Sequence, residues 1–137
     1  MKAAHKHQAH YLFVYGTLMD PGANSVAARL WRYGEAAGEA WFQGRLYRVA
    51  HYPGVVPSSD RQDLVRGRLV LLPRPAVIFP VLDAFEGVPD LYTRKQVPVT
   101  KADGTLITPA WIYIYNRPVA RLRRIPSGDF RKLFSAL

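Results

Sequence analysis

Cysteine is absent from the 137 residues. That removes disulfide staples, thiolate metal sites and a cysteine nucleophile, and it leans toward a cytoplasmic setting. No apolar run approaches the roughly 20 residues of a membrane-spanning helix, so no membrane is expected as a partner. The first ten residues are polar, and no signal segment is expected there. Acidic residues are scarce, 10 against 19 Lys and Arg, for a net charge of +9. Such an excess fits nucleic acid, an acidic membrane surface, a pocket for anionic small molecules, or solubility alone. The one dense basic cluster runs from Arg117 to Arg124, with Arg131 and Lys132 just after. No groove-reading motif accompanies it, so nucleic acid is the weakest of these readings. Also missing are a Gly-x-Ser-x-Gly elbow, a Walker loop, a dinucleotide fingerprint and a His-Glu-x-x-His helix.

What is present is a chain 49% apolar and 21% charged, enough for one domain with a real core. We read residues 1–10 as a tail and 11–137 as a single domain. The tail holds His5, His7 and His10, but no carboxylate or cysteine completes a ligand set, and no metal is expected. The central stretch is Tyr11 to Met19. Five apolar or aromatic residues run into Gly16 and Thr17, then into the turn Asp20-Pro21-Gly22. A run of this kind reads as a buried strand. At its end, backbone N–H groups leave the sheet and become free to hold a ligand. Gly16 has no Cβ to block close approach, and Thr17 adds a hydroxyl. The loop reads either as an anion- or carbonyl-binding element or as an ordinary strand exit.

Asn24 or Ser25 then caps a short helix, with Val26, Leu30 and Trp31 on one side, ending before Gly34. Strands follow over 39–49 and 64–72, each with an interior glycine. Gly44 points to a bulge or bend in a curled sheet. Ala76 to Glu86 reads as a helix with Val77, Val81, Leu82 and Phe85 on its apolar face. Pro80 delays its start to near Phe79 or kinks it there, and Gly87 sits where a capping glycine belongs. Strands over 92–101 and 106–115 are joined by Asp103-Gly104, a type I′ hairpin signal. The second strand has two apolar faces, one for a core and one for a cavity. Ser127-Gly128-Asp129 leads into a final helix over 130–137. The fold class is α+β: a small mixed sheet curled into a barrel, with short flanking helices.

Few groups are left for chemistry. His51, beside Tyr52-Pro53-Gly54, has no evident acid partner and reads as a loop residue. Among the carboxylates, Glu86 stands out as the last residue of an otherwise apolar helix face. The helix dipole disfavours a negative charge there, and burial disfavours it further. Both effects raise its proton affinity toward the range of a general acid or base. The other reading is a solvated helix-end glutamate. Asp83, one turn earlier, reads as structural.

Tyr15-Gly16-Thr17-Leu18, the Tyr52-Pro53-Gly54 turn, Leu82-Asp83-x-x-Glu86-Gly87 and Tyr92-x-Arg94 together resemble the gamma-glutamylcyclotransferase-like superfamily. The likeness is to its small members and runs from Tyr11 to about Phe134. Ile125 to Asp129 is similar to the family's closing segment. The resemblance implies a small β-barrel and release of 5-oxoproline from a γ-glutamyl amine or amino acid, without a cofactor. It implies Glu86 as the catalytic acid/base, Tyr15, Gly16, Thr17 and Leu18 as the substrate loop, and Tyr92 and Arg94 as further binding residues. We add Tyr115, with Tyr15 and Tyr113, as an aromatic wall that excludes water and offers hydroxyl donors. The alternatives are a binding module of the same fold that holds a small carboxylate without turnover, and a nucleic-acid-associated basic protein. Glu86 weighs against the former, since a bare anion pocket gains nothing from a carboxylate.

Overall fold

The computed structural model describes residues 10–135. His5 and His7 lie outside the described residues. His10 belongs to the first strand rather than to a tail, and its Nδ1 accepts a hydrogen bond from Trp111 at 3.2 Å.

That strand, β1 (His10–Val14), is central. It pairs antiparallel with β4 (Leu64–Leu72) and parallel with β6 (Leu106–Tyr115). Leu12, Phe13 and Val14, whose side chains alternate between the strand's two faces, are all buried, so both faces are covered and the run is apolar throughout. β6 pairs antiparallel with β5 (Tyr92–Lys101), and β5 reaches β2 (Glu35–Arg48) through Ala40↔Lys101 and Trp41↔Thr100. β2 pairs with β4. The ring β2-β4-β1-β6-β5 is therefore a closed, mixed, five-stranded barrel, as the sequence led us to expect. β3 (Pro53–Pro57) and β7 (Arg123–Arg124) flank the far half of β2 on its two edges.

Alternation along β2 buries Ala40, Phe42 and Leu46. The bend expected at Gly44 lies elsewhere. The register shifts between Ala36 and Glu39, where Gly38 has φ of 95°. Gly44 stays in register with Pro57, and a Cβ there would meet the Phe42 ring and the Val56 carbonyl at 2.7 Å. The β5–β6 turn is also not type I′, which needs positive φ at both central residues. Only Gly104 has positive φ. Its N–H donates to the Lys101 carbonyl at 2.9 Å, closing an ordinary turn that ends on a left-handed glycine.

Three helices flank the barrel. In α1 (Ser25–Tyr33), Asn24 is the cap, its side chain accepting from the Ala27 N–H at 2.7 Å. α2 (Pro75–Glu86) joins β4 to β5 and is continuous through Pro80, without the expected delay. It begins on Pro75, whose missing N–H would have had no helical partner. The expected apolar face is rotated. Ile78, Phe79 and Leu82 are buried, whereas Val77 is 52% exposed and Phe85 41%. Glu86, four residues after Leu82, follows this inner face. Gly87 closes the helix with φ of 68°, and the Val88 N–H reaches the Asp83 carbonyl at 3.0 Å. α3 (Phe130–Ser135) is the final helix. No helix among the described residues is long and apolar enough to cross a membrane.

Candidate active site

A cavity of about 260 Å³ opens at one end of the barrel. Its walls come from four separate segments: the turn after β1, the Tyr52-Pro53 corner, the end of α2, and the facing strands β5 and β6. Tyr15, Gly16, Thr17, Leu18, Glu86 and Tyr92 all line it, so six of the eight residues expected at the site meet in one place.

Gly16 is needed for a reason the sequence did not show. A Cβ at this position would lie 2.8 Å from Cγ and Cδ of Pro53, so the β1 exit and the Pro53 corner touch through the missing side chain. Thr17–Met19 then form one turn of 3-10 helix, closed by the Met19 N–H on the Gly16 carbonyl at 3.0 Å. The first N–H groups of such a turn have no partner within it. Gly16, Thr17 and Leu18 all line the cavity.

Four tyrosines, Tyr15, Tyr52, Tyr92 and Tyr113, frame the cavity, and all but Tyr52 spend their hydroxyl protons on the protein. Tyr15 donates to the Tyr113 carbonyl at 2.7 Å, Tyr92 to the Pro53 carbonyl at 2.5 Å, and Tyr113 to Asp83 Oδ1 at 2.7 Å. All three phenols are pushed above their ordinary pKa, chiefly by burial, so they remain neutral. Of the two β6 tyrosines expected in the wall, Tyr113 lines the cavity and Tyr115 does not. Tyr115 is buried behind the wall, where its ring packs on Gly54 and edge-on to Tyr92, with centroids 5.6 Å apart.

Glu86 is the one carboxylate lining this cavity. Burial pushes its pKa up to about 7. It can therefore hold or release a proton near neutrality, which the neutral phenols cannot do. His51 also lines the cavity, with its ring edge-on to Tyr52. The sequence reading had set it aside as a loop residue.

Arg94 is not among the lining residues. Its guanidinium lies 3.9 Å from the Phe79 ring centroid and 4.7 Å from that of Trp111. It grips Asp83 through two hydrogen bonds of 2.9 and 3.1 Å. Burial pushes the Asp83 carboxyl up, but the bonds from Arg94 and Tyr113 outweigh it and hold the group below its ordinary range. Asp83 thus ties the last turns of α2 to both β5 and β6, and so fixes the helix end that carries Glu86.

A second, wider cavity of about 640 Å³ adjoins the first and shares Gly16, Thr17 and His51 with it. Arg68, Arg131 and Glu39 stand in its walls. Arg131 is clamped to Glu39 and Asp129, each at 2.9 Å, and Arg68 stacks 4.0 Å from the Trp31 ring centroid. Among the described residues, no three His, Asp or Glu side chains converge as a metal site would require.

The closed mixed barrel, its short helices and the end pocket define a gamma-glutamyl cyclotransferase-like protein. Residues 12–132 match the family model described as gamma-glutamyl cyclotransferase, AIG2-like, and the chain belongs to that family. It is 30% identical, over 122 residues, to the gamma-glutamylcyclotransferase family protein YtfP of Escherichia coli K12, covering 87% of this chain and 94% of that one. The solution structure of ytfP from Escherichia coli superposes with a TM-score of 0.61 at 32% identity, over 88% of this chain and 95% of that one. An AIG2-like protein from Mus musculus shares the fold, with a TM-score of 0.66 at 21% identity over 86% of each chain.

Proposed function

We propose that the protein is a γ-glutamyl cyclotransferase that releases 5-oxoproline from a γ-glutamyl amine or amino acid. The observation that carries this reading is Glu86. Among the described residues it is the single carboxylate of a cavity framed by tyrosines, its pKa is about 7, and the Gly16–Leu18 turn lines the same cavity.

A γ-glutamyl group contains its own nucleophile. Folded over in the cavity, its α-amine attacks the γ-carbonyl carbon, a five-membered ring forms, and the amide C–N bond breaks. Most of the rate gain is proximity, since the two reacting groups are already in one molecule. The α-nitrogen sheds two protons, one from the ammonium before attack and one after the new C–N bond forms; Glu86 relays them to the departing nitrogen, which leaves as an ammonium, so the enzyme ends in its starting state. The turn N–H groups offer donors to the substrate's negative charge, either the α-carboxylate or the developing oxyanion.

The test is 5-oxoproline release from γ-glutamyl amino acids, γ-glutamyl-ε-lysine and glutathione, comparing wild type with Glu86→Gln. The isosteric amide keeps the shape and cannot carry the proton. Release by wild type should fall by roughly 100-fold or more in the variant. Failure of folded wild type to release 5-oxoproline from any compound would overturn the reading, as would full activity in Glu86→Gln.

A further inference from the structure

Cross-strand partners in a sheet stand on the same face. In the ladder β3-β2-β7, Pro53 pairs with Arg48, and Arg48 pairs with Arg123. These three side chains therefore form one row. Leu46, two residues before Arg48 and on the same face, is fully buried, so this is the inward face of the sheet. Pro53 is buried and lines the first cavity. Arg48 and Arg123, both exposed, lie where the face runs out. Adjacent strands are about 4.8 Å apart, which puts Arg48 one step from the cavity wall and Arg123 two.

These arginines are not neutralised. Among the described residues, neither is in an ion pair, and the Arg48 Nε donates only to the Ala50 carbonyl at 3.3 Å. Their neighbours Arg45 and Arg124 both engage Asp63, at 2.7 and 2.8 Å. Like charges placed directly across a ladder repel, so the Arg48–Arg123 pair disfavours the fold unless an anion lies between them. Among the described residues, the cavity lining contains no lysine or arginine. Negative charge on the part of a substrate that projects past the Pro53 side of the cavity would meet Arg48 and Arg123 in this row, whereas Arg68, bonded to the Met19 carbonyl and stacked on Trp31, stands in the second cavity.

We propose that Arg48 and Arg123 are specificity-determining residues that select γ-glutamyl compounds whose leaving amine bears carboxylates, above all glutamate, free or as the next unit of a γ-linked chain. The inference rests on the cyclotransferase reading above. Two guanidiniums one strand step apart match the two carboxylates of a single glutamate, each able to accept a forked pair of N–H bonds. The row itself holds two arginines and ends at the cavity, which does not follow the repeated phosphates of a nucleic-acid backbone.

The experiment compares γ-glutamyl-glutamate with γ-glutamylethylamide, whose leaving amine is uncharged, in wild type, Arg48→Gln, Arg123→Gln and the double variant. Wild type should favour the acidic substrate. Each single variant should lower that preference about threefold and the double about tenfold, through KM rather than kcat. The preference should also shrink in about 0.5 M salt. Equal losses on both substrates, or no change in preference, would overturn the proposal. Calorimetric binding of both compounds to Glu86→Gln reads the preference without turnover. An arginine-dependent preference there, with no turnover by wild type, would keep the row and sink the cyclotransferase reading. Salt-sensitive binding of unrelated duplex DNA that the double variant loses, with substrate preference intact, would assign the patch to nucleic acid instead.

Discussion

Glu86 should make the protein less stable as the pH rises, and removing its charge should abolish that trend. The carboxyl has a pKa of about 7 in the folded chain. In the unfolded chain it returns to an ordinary glutamate value of 4.5. Below that value both states hold the proton and the group contributes nothing. Between the two values the folded state binds more protons than the unfolded state, so stability falls with rising pH. Above pH 7 both are ionised, and the full penalty remains. At 1.36 kcal/mol per unit the gap comes to about 3 kcal/mol, or about 10 °C in melting temperature for a chain of this size. Glu86→Gln keeps the volume and cannot ionise. Thermal melts of wild type and variant should therefore agree at about pH 4 and separate by up to about 10 °C at about pH 8, with the variant the more stable. Wild type melting with the variant at both pH values would refute the burial argument and, with it, the basis for Glu86 as a proton carrier. The comparison needs no substrate and so stands apart from any question of turnover.

Gly16→Ala should destabilise the fold by about 1–3 kcal/mol in a denaturant titration, because its Cβ would lie 2.8 Å from two atoms of the rigid Pro53 ring. A change below about 0.5 kcal/mol would show that the two walls part easily. Asp83→Asn should cost about 2 kcal/mol, since it leaves the Arg94 guanidinium between two aromatic rings without its anion. If urea unfolding of this variant matches wild type, Asp83 does not tie the helix end to the sheet.

How much of this could be read beforehand differs from residue to residue. The barrel came through because its signals are local. An apolar run closed by Gly16-Thr17 marks β1, and Gly87 marks the end of α2. Glu86 was legible for the same reason, as a charge at the end of an apolar helix. Tyr115 was not. It shares a strand face with Tyr113, and only the packing of Gly54 beneath its ring decides which of the two reaches the cavity. Arg94 was named as a binding residue by the family resemblance alone, and its contacts with Asp83, Phe79 and Trp111 appear only once the chain is folded. The α2 face was misjudged because four apolar residues at helical spacing, Val77 among them, compete with Ile78 and Phe79. The sheet beneath the helix settles which set is covered. Asp103-Gly104 was read as a mirror-image turn from its dipeptide alone, whereas the sign of φ at Asp103 depends on how the two strands meet.

The hydrogen bond from Tyr15 to Tyr113 joins residues 98 positions apart. During synthesis at about 5–20 residues per second, Tyr15 is made roughly 5 to 20 seconds before its partner. β1 meets a similar delay, because its neighbours on both edges, β4 and β6, are later in the chain. β1 thus emerges before both of its partners and waits with both edges open. In that interval it is the segment most exposed to mispairing with another chain. A slow codon placed after Tyr115 costs nothing in this respect, while one placed before Leu64 prolongs the wait.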